Sequence, residues 1–173
     1  MKTYRMGLAV AGLFLCYTAP VFAQSITTPP AQQSRISNKS SDYDTGMISV
    51  PSAFSVKTTS ARLIDILRRE KLTVFADIDH QANAQKVKLA LRPTRVILFG
   101  NPLAGTQLMH ENQTIGMDLP LKFLVWEAID HQVYISWNNP YYLAKRHGLP
   151  PQLELLSKMS NQLYSLAERA AKK

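Results

Sequence analysis

The sequence has almost no cysteine. Its one cysteine, Cys16, lies in an apolar run over residues 6–16, which follows a basic start and precedes small residues ending at Ala23. A positively charged start, an apolar run and small residues at a cleavage point are the three parts of a secretory signal peptide. We therefore predict that residues 1–23 are a signal peptide and that the mature protein, beginning at Gln24, is periplasmic or secreted.

That prediction removes the only thiol from the mature chain. A chain without cysteine has no disulfide, no thiolate nucleophile and no cysteine metal ligand, although an exported compartment would permit disulfides. The stability of the protein must then come from a packed core. Lipid attachment is not expected, because Leu15 rather than a small residue precedes Cys16.

Long hydrophobic runs and acidic residues are also scarce. No segment after residue 23 approaches the ~20 apolar residues of a membrane-spanning helix, so we expect no transmembrane segment once the signal peptide is removed. The chain has 20 Lys and Arg residues against 12 Asp and Glu residues. The basic residues are dispersed rather than interleaved with aromatics in one run. The positive charge therefore indicates solubility, and no nucleic-acid partner is expected.

The composition divides the mature chain into two parts. Residues 24–45 are rich in Ser, Thr, Gln, Asn and Pro and nearly free of apolar residues. Such a segment buries too little surface to offset the entropy of ordering, so we predict a flexible leader. Residues 46–173 carry regular apolar patterns and have the size of one domain, which predicts a single globular domain.

The most informative stretch of this domain runs from Arg95 to Pro120. Its unbroken apolar run over residues 96–99 is typical of a strand that is covered on both faces. The sequence Gly-Asn-Pro over residues 100–102 then forces a turn, because glycine permits unusual backbone angles and proline fixes φ and has no N–H. Two interpretations stay open: a simple strand-to-helix turn, or a ligand site at the end of the strand.

Other patterns surround this stretch. Alternating apolar residues indicate strands, and apolar residues spaced by three or four indicate helices. In chain order we predict a strand over 46–56, a helix over 60–71, a strand over 72–80, a helix over 81–91, and strands over 121–129 and 132–137. The last two strands are joined by a tight turn at Asp130-His131, which predicts an antiparallel hairpin. A long amphipathic helix ends the chain, and core packing explains its apolar stripe.

The order of five segments, VFADIDH, LRPT, ILFGNPLAGTQLM, MDLPLKFLVWE and ISWNNPYYLAKRHGL, resembles the bacterial and archaeal family called domain of unknown function 302. The resemblance spans about residues 56–149. It implies a small two-layer α/β (α+β) fold, a family without a settled activity, and helices packed on one face of the sheet. We expect a small mixed sheet that includes the antiparallel C-terminal hairpin.

Two carboxylates lie on one face of the strand predicted over 72–80. Asp77 and Asp79 would be ~7 Å apart, because a strand rises 3.2–3.4 Å per residue. Paired acids at this spacing serve acid/base chemistry or hold a cation. The alternative interpretation is that Asp77 faces solvent and Asp79 caps the next helix, which is a preferred position for aspartate.

The candidate site is a pocket at the strand ends that accepts a small molecule or a metal. We expect its lining to include Asp79, His80, Asn101, Gly105, Thr106 and Asp118. The candidate metal ligands are His80, Met109 and His110, because thioether and imidazole groups suit copper or haem iron. The sequence identifies no cofactor and contains no His-Glu-x-x-His, P-loop, dinucleotide or Gly-x-Ser-x-Gly pattern.

Function divides into three hypotheses. The first is a binding module that holds a small molecule or metal in this pocket. The second is a homo-oligomeric interaction protein or envelope-stress protein without catalytic activity, in which a sheet edge or the last helix forms a homodimer or receives a client protein. The third is an enzyme in which Asp79 and His80 act as an acid/base pair. Asp118 lies between turns, where a structural hydrogen bond is expected, so Asn101→Ala is the better functional probe.

Overall fold

The computed structural model describes residues 46–173, and the predicted signal peptide and leader lie outside these residues. The described part contains a five-stranded sheet, five α-helices and one 3₁₀ helix. The strands are β1 (Met47–Ser52), β2 (Thr73–Asp79), β3 (Thr94–Gly100), β4 (Leu121–Glu127) and β5 (Val133–Asn138). The helices are α1 (Val56–Arg69), α2 (His80–Lys86), α3 (Pro102–Glu111), α4 (Pro140–Arg146) and α5 (Glu154–Ala171), and the 3₁₀ helix is Gln113–Met117.

The sheet order is β1-β5-β4-β3-β2, and every neighbouring pair is antiparallel. The two-layer α/β class is confirmed, as is the hairpin of β4 and β5. The expected mixed sheet is corrected to an antiparallel one. The reason is that the helical connections between β2, β3 and β4 return the chain at the end of the sheet where it left. A parallel neighbour would require a crossover to the opposite end.

The helix α1 begins earlier than the sequence predicts. Ser55 Oγ accepts a hydrogen bond from the Thr58 N–H at 3.3 Å, so Ser55 caps the helix and Val56 is its first residue. The predicted strand over 46–56 therefore ends at Ser52. Val56 is buried as part of α1. Its apolar side chain did not distinguish a helix from a strand, because a residue at this position would be buried in either element.

The helix α2 is shorter than the predicted helix over 81–91. It ends at Lys86, and the backbone at Lys88 takes a positive φ of 61°. Val87 and Leu89 lie within the predicted helix but beyond the last residue of the observed one, and each is 66% exposed. The spacing of apolar residues indicates a face, but only the packing decides whether another element covers it.

The sheet, α1 and α5 enclose a core, which we call the closed core. At its centre the ring of Phe123 stacks on Phe99 at 4.8 Å and meets Trp137 edge-on at 5.6 Å. Its buried members are Val50, Val56, Leu63, Ile66, Leu67, Ile97, Phe99, Phe123, Val125, Val133, Ile135, Trp137, Leu163, Leu166, Ala167, Ala170 and Ala171.

A second hydrophobic cluster, which we call the cavity cluster, joins α3, the 3₁₀ helix, α4 and α5. Its buried members are Leu108, Ile115, Ala144, Leu149, Leu156 and Met159. Leu121 packs against both clusters, so they adjoin at the start of β4. Among residues 46–173, no helix combines the length and the apolar character needed to cross a membrane.

Candidate functional site

A cavity of about 340 Å³ lies where the closed core meets the cavity cluster. Side chains of α5 and of the sheet form one side of it, and α3 and the 3₁₀ helix form the other. The lining consists of Leu72, Phe75, Phe99, Gly100, Asn101, Pro102, Ala104, Gly105, Thr106, Leu108, Met109, Gly116, Leu119, Pro120, Leu121, Met159, Gln162, Leu163 and Leu166.

The chemistry of this lining is almost entirely apolar. No aspartate, glutamate, lysine, arginine or histidine is among the lining residues, and the polar side chains there are Asn101, Thr106 and Gln162. Leucine, methionine and phenylalanine supply most of the surface. A concave apolar surface with a few polar groups is the usual form of a small-molecule site.

The turn over residues 100–102 places α3 beside the cavity. Asn101 Oδ1 accepts a hydrogen bond from the Leu103 N–H at 2.9 Å, so Asn101 is the N-cap of α3, and Pro102 occupies the first turn. Gly105 follows one turn later. A Cβ at Gly105 would lie 3.6 Å from Leu119 Cδ1, so the missing side chain leaves free space between α3 and the 3₁₀ helix.

The structure brings half of the predicted site residues to this cavity. Asn101, Gly105 and Thr106 all belong to the lining. Met109, predicted as a metal ligand, also lines the cavity, together with Met159 from α5. The sequence reasoning missed the contribution of α5. Its apolar stripe was assigned to core packing, and Leu163 and Leu166 in fact serve both the closed core and the cavity.

Asp79 and His80 lie outside the lining. Asp79 Oδ1 accepts a hydrogen bond from the Ala82 N–H at 2.9 Å, which makes Asp79 the N-cap of α2. His80 is the first residue of α2 and is exposed. The capping interpretation therefore describes Asp79, and within residues 46–173 no hydrogen bond joins it to His80. The carboxylate of Asp79 is used by the backbone of α2 instead.

The predicted metal ligands are likewise separated. His80 begins α2, whereas Met109 and His110 are consecutive residues of α3 with only Met109 facing the cavity. In the part of the chain that the structure describes, no three His, Cys, Asp or Glu side chains come close enough together to hold a metal ion.

Asp118 also lies outside the lining, in a buried polar network that involves His147. His147 Nε2 is 2.6 Å from Asp118 Oδ2, and Arg146 Nη1 is 3.3 Å from the same oxygen. On its other side, His147 Nδ1 is 3.0 Å from Thr114 Oγ1. Asp118 and His147 are 29 residues apart, so no sequence spacing connects them. The only sequence feature that pointed to this network was the position of Asp118 between turns, where a structural hydrogen bond is expected.

This network supports one wall of the cavity. Gly116 and Leu119, which flank Asp118, both line the cavity. Asn112 Nδ2 donates a hydrogen bond to the His147 carbonyl at 2.8 Å, which ties the start of the 3₁₀ helix to the end of α4. The position of the wall therefore depends on the contacts of His147.

The order of hydroxyl, imidazole and carboxylate in Thr114, His147 and Asp118 is that of a nucleophilic triad. A nucleophilic hydroxyl must pass its proton to the imidazole. The hydroxyl of Thr114, however, also lies 2.9 Å from Asn112 Oδ1, an acceptor that competes with His147 for its one proton. The same Asn112 oxygen caps the 3₁₀ helix by accepting from the Thr114 N–H at 3.0 Å. The arrangement thus acts as a helix cap and a structural anchor.

Comparison with known families agrees with this architecture. The family model described as Domain of unknown function DUF302 matches residues 48–166. The chain belongs to the DUF302 family. A crystal structure of an uncharacterized conserved DUF302 protein from Bacillus stearothermophilus superposes with a TM-score of 0.66 at 21% sequence identity. The match covers 72% of this chain and 98% of that chain, and it shows a shared fold.

Curated relatives of higher identity are longer proteins. The fluoride-specific ion channel FluC 1 of Brucella suis biovar 1 (strain 1330) is 42% identical over 106 residues, which are 61% of this chain and 42% of that protein. FluC 1 of Brucella abortus biovar 1 (strain 9-941) is also 42% identical over 106 residues, 39% of its length. The chain thus spans about two fifths of the length of these relatives.

Proposed function

We propose that this DUF302 protein binds a small, uncharged, largely apolar molecule in the cavity between α3 and α5. The observation that carries the proposal is the cavity of about 340 Å³ whose lining contains no charged side chain. Burying an unpaired charge in such a site is costly, so an ionised ligand group would have to remain at the opening. The chemistry favours a neutral molecule over a metal ion.

The volume limits the size of the ligand. A cavity of about 150 Å³ holds one benzene molecule, so the present cavity suits a molecule of about twice that size. A bicyclic aromatic compound or an alkyl chain of medium length fits this description. The amides of Asn101 and Gln162 and the hydroxyl of Thr106 would orient one polar group of the ligand.

Titration with two fluorescent probes tests the proposal. N-Phenyl-1-naphthylamine is a neutral naphthalene that carries a phenylamino group. 8-Anilinonaphthalene-1-sulfonate has the same ring system and a negatively charged sulfonate group. We expect saturable binding of the neutral probe at one site per chain, with weaker binding of the anion. No saturable binding, or equal affinity for both probes, would contradict a neutral site.

A matched pair of variants on α3 locates the binding. Ala104 lines the cavity, whereas Gln107 is exposed on the same helix and outside the lining. Ala104→Phe should fill the cavity and weaken probe binding by at least about tenfold, which corresponds to 1.4 kcal/mol. Gln107→Phe should leave the affinity within a factor of about two. Equal effects of the two variants would place the probe elsewhere.

Export of the protein belongs to the same proposal and is supported by the sequence of residues 1–23. Cell fractionation and N-terminal sequencing of the protein from its own host test it. The expected mature N-terminus is Gln24, in a periplasmic or secreted fraction. Recovery of the protein with Met1 intact in the cytoplasm would contradict export and would leave the cavity proposal unaffected.

A second candidate function rests on the curated relatives, which are fluoride-specific ion channels in which about two fifths of the length matches this chain. We propose that the chain acts as a partner module of such a channel. Fluoride itself is a poor candidate for the cavity, because a small anion needs charged or N–H donors. The test is copurification with a FluC channel of the same host in lipid nanodiscs, together with fluoride efflux from vesicles. No complex and unchanged efflux would contradict it.

A further inference from the structure

The sheet has two faces, and the described chain covers one of them. α1 and α5 pack on the face that carries Phe99, Phe123 and Trp137. Side chains alternate along each strand, so the register assigns the other side chains to a second face, which we call the open face. Its members are Met47, Ser49, Pro51, Ala76, Ile78, Thr94, Val96, Leu98, Lys122, Leu124, Trp126, Tyr134, Ser136 and Asn138.

The open face is more apolar than a solvated sheet face normally is. In an antiparallel sheet with one solvent-exposed face, apolar and polar residues alternate along each strand. Residues 96–99 and 123–126 are instead unbroken apolar runs. Ile97 and Phe99 are covered within the closed core, but Val96, Leu98 and Leu124 belong to neither hydrophobic cluster of residues 46–173. The sequence is that of a sheet covered on both faces, and within residues 46–173 the helices α1 and α5 cover one of them.

The remaining features of the open face suit an apolar cover. Trp126 stacks on Tyr134 at 5.3 Å, and Trp126 Nε1 donates a hydrogen bond to Ser136 Oγ at 2.8 Å, so the indole needs no polar partner from outside. The one charged member, Lys122, donates from Nζ to the Asp118 carbonyl at 3.0 Å. Lys122 is therefore the single charged side chain on the open face, and its ammonium group already has a hydrogen-bond partner within the chain.

The edges of the same sheet are poor sites for association. β1 carries Pro51, which offers no N–H, and β2 has a register irregularity between Val74 and Ala76. Prolines and bulges on edge strands are features that prevent strand pairing between molecules. A homodimer through a sheet edge, one of the sequence-based hypotheses, is therefore disfavoured relative to association through the face.

We infer that the open face binds the open face of a second copy of this chain, related by a twofold axis. Five strands spaced about 4.8 Å apart, each rising about 3.3 Å per residue, span a face of roughly 500 Å² per copy. Two copies would bury roughly 1,000 Å² together, the lower bound of a specific interface. An apolar, nearly uncharged face is self-complementary, as a twofold interface requires.

The first test is sedimentation or light scattering of the full chain over a range of micromolar concentrations. We expect a dimer in the unmodified protein. Leu124→Glu places a carboxylate in the middle of the proposed interface and should raise the dimer dissociation constant at least about tenfold. Leu103→Glu is the matched control, because Leu103 is 69% exposed on α3, outside the open face. It should leave the dimer unchanged.

The second test uses the two tryptophans of the chain, of which Trp126 lies on the open face and Trp137 in the closed core. In the variant Trp137→Phe, the emission of Trp126 should move to shorter wavelength as the protein concentration rises. This readout keeps the proposal testable if Leu124→Glu fails to fold.

Three results would overturn the inference. The first is a monomer at every concentration with a constant Trp126 emission. The second is a dimer that Leu124→Glu does not weaken while the variant stays folded by circular dichroism. The third is a Trp126 shift that appears only when phosphatidylglycerol vesicles are added, which would assign the open face to a membrane. Probe binding in the cavity is measured separately, so either proposal can fail without the other.

Discussion

The closed core and the cavity cluster use the same kinds of side chain but are filled to different degrees. In the closed core, Leu63, Leu67 and Phe123 are fully buried, and the aromatic rings of Phe99, Phe123 and Trp137 interlock. Beside the cavity cluster, mostly leucines and methionines surround about 340 Å³ of free space. In the closed core, the sheet faces α1 and α5. In the cavity cluster, the short helices α3 and α4 and the 3₁₀ helix pack against α5, and a gap remains.

This difference shows how one small domain can combine a closely packed core with a cavity. Close packing makes every buried methyl group contribute to stability, whereas an unfilled site holds back contacts that a ligand can make. The hydrogen bonds of Asp118 and His147 also help to stabilise the cavity cluster. Substitutions in the two regions test this division.

The largest effect is expected in the closed core. Leu67→Ala removes a fully buried side chain and should lower the free energy of unfolding by about 3–5 kcal/mol. Leu119→Ala removes the same atoms, but Leu119 already borders the cavity, so a smaller loss of unfolding free energy, about 1–2 kcal/mol, is expected. Urea denaturation of both variants measures the difference. Equal losses would show that the two clusters are packed alike.

The next effect concerns the support of the cavity wall. His147→Ala leaves the buried Asp118 carboxylate with Arg146 as its remaining side-chain partner, so the free energy of unfolding should fall by about 3 kcal/mol. Probe affinity should fall as well, because the 3₁₀ helix loses its anchor. The double variant Asp118→Asn/His147→Ala is the control and should cost less than the sum of the two single changes. Strict additivity would contradict a coupled pair.

Gly105→Ala should separate stability from binding. Glycine in a helix interior costs about 0.5–1 kcal/mol relative to alanine, and the new Cβ would lie at an ordinary contact distance of 3.6 Å from Leu119 Cδ1. The variant should therefore be more stable and bind the neutral probe more weakly.

The control for this glycine is Gly148→Ala. Gly148 has a positive φ of 64°, where a side chain is strained, so this variant should lose about 1 kcal/mol with unchanged probe binding. Thermal unfolding and probe titration of both variants provide the measurements. Tighter probe binding in Gly105→Ala would contradict the position assigned to the site.

The smallest effect is expected at Ser60 in α1, whose buried Oγ makes no hydrogen bond within residues 46–173. Ser60→Ala removes an unsatisfied group and raises helix propensity, so a gain of about 0.5 kcal/mol is expected. Thr59→Val is the contrast, because Thr59 Oγ1 is 2.7 Å from Ser52 Oγ and also donates to the Phe54 carbonyl. That variant should lose about 1–2 kcal/mol, and chemical denaturation distinguishes the two.

Much of the fold was predictable because it follows from local patterns. Alternation and a tight turn were enough for the hairpin of β4 and β5, and the residues of the FGNP and DLPL segments were enough for the family. The sequence did not show whether the strands joined by helices pair in a parallel or an antiparallel direction. A helical connection between strands is compatible with both a parallel and an antiparallel neighbour, and only the end of the sheet at which the chain re-enters distinguishes them.

The sequence predicted those residues of the candidate site that are close together along the chain. It did not predict those that only folding brings together. Asn101, Gly105 and Thr106 follow one strand and one turn, so the sequence brings them together by itself. Asp79 was grouped with them because it also ends a strand, but its carboxylate is used by the helix that follows. His147 was not grouped with Asp118, because 29 residues of intervening chain separate the two.

By itself the sequence indicated a signal-like N-terminus, a thiol-free remainder, most of the strands and helices, and the family. The first three depend on residues that are neighbours along the chain, and the family depends on the order of five such segments. The tertiary structure alone decided that the cavity lies between α3 and α5, that Asp118 pairs with His147, and that α1 and α5 pack on the same face of the sheet. Those features depend on which distant segments pack together, and packing is a property of the whole chain that no local pattern contains.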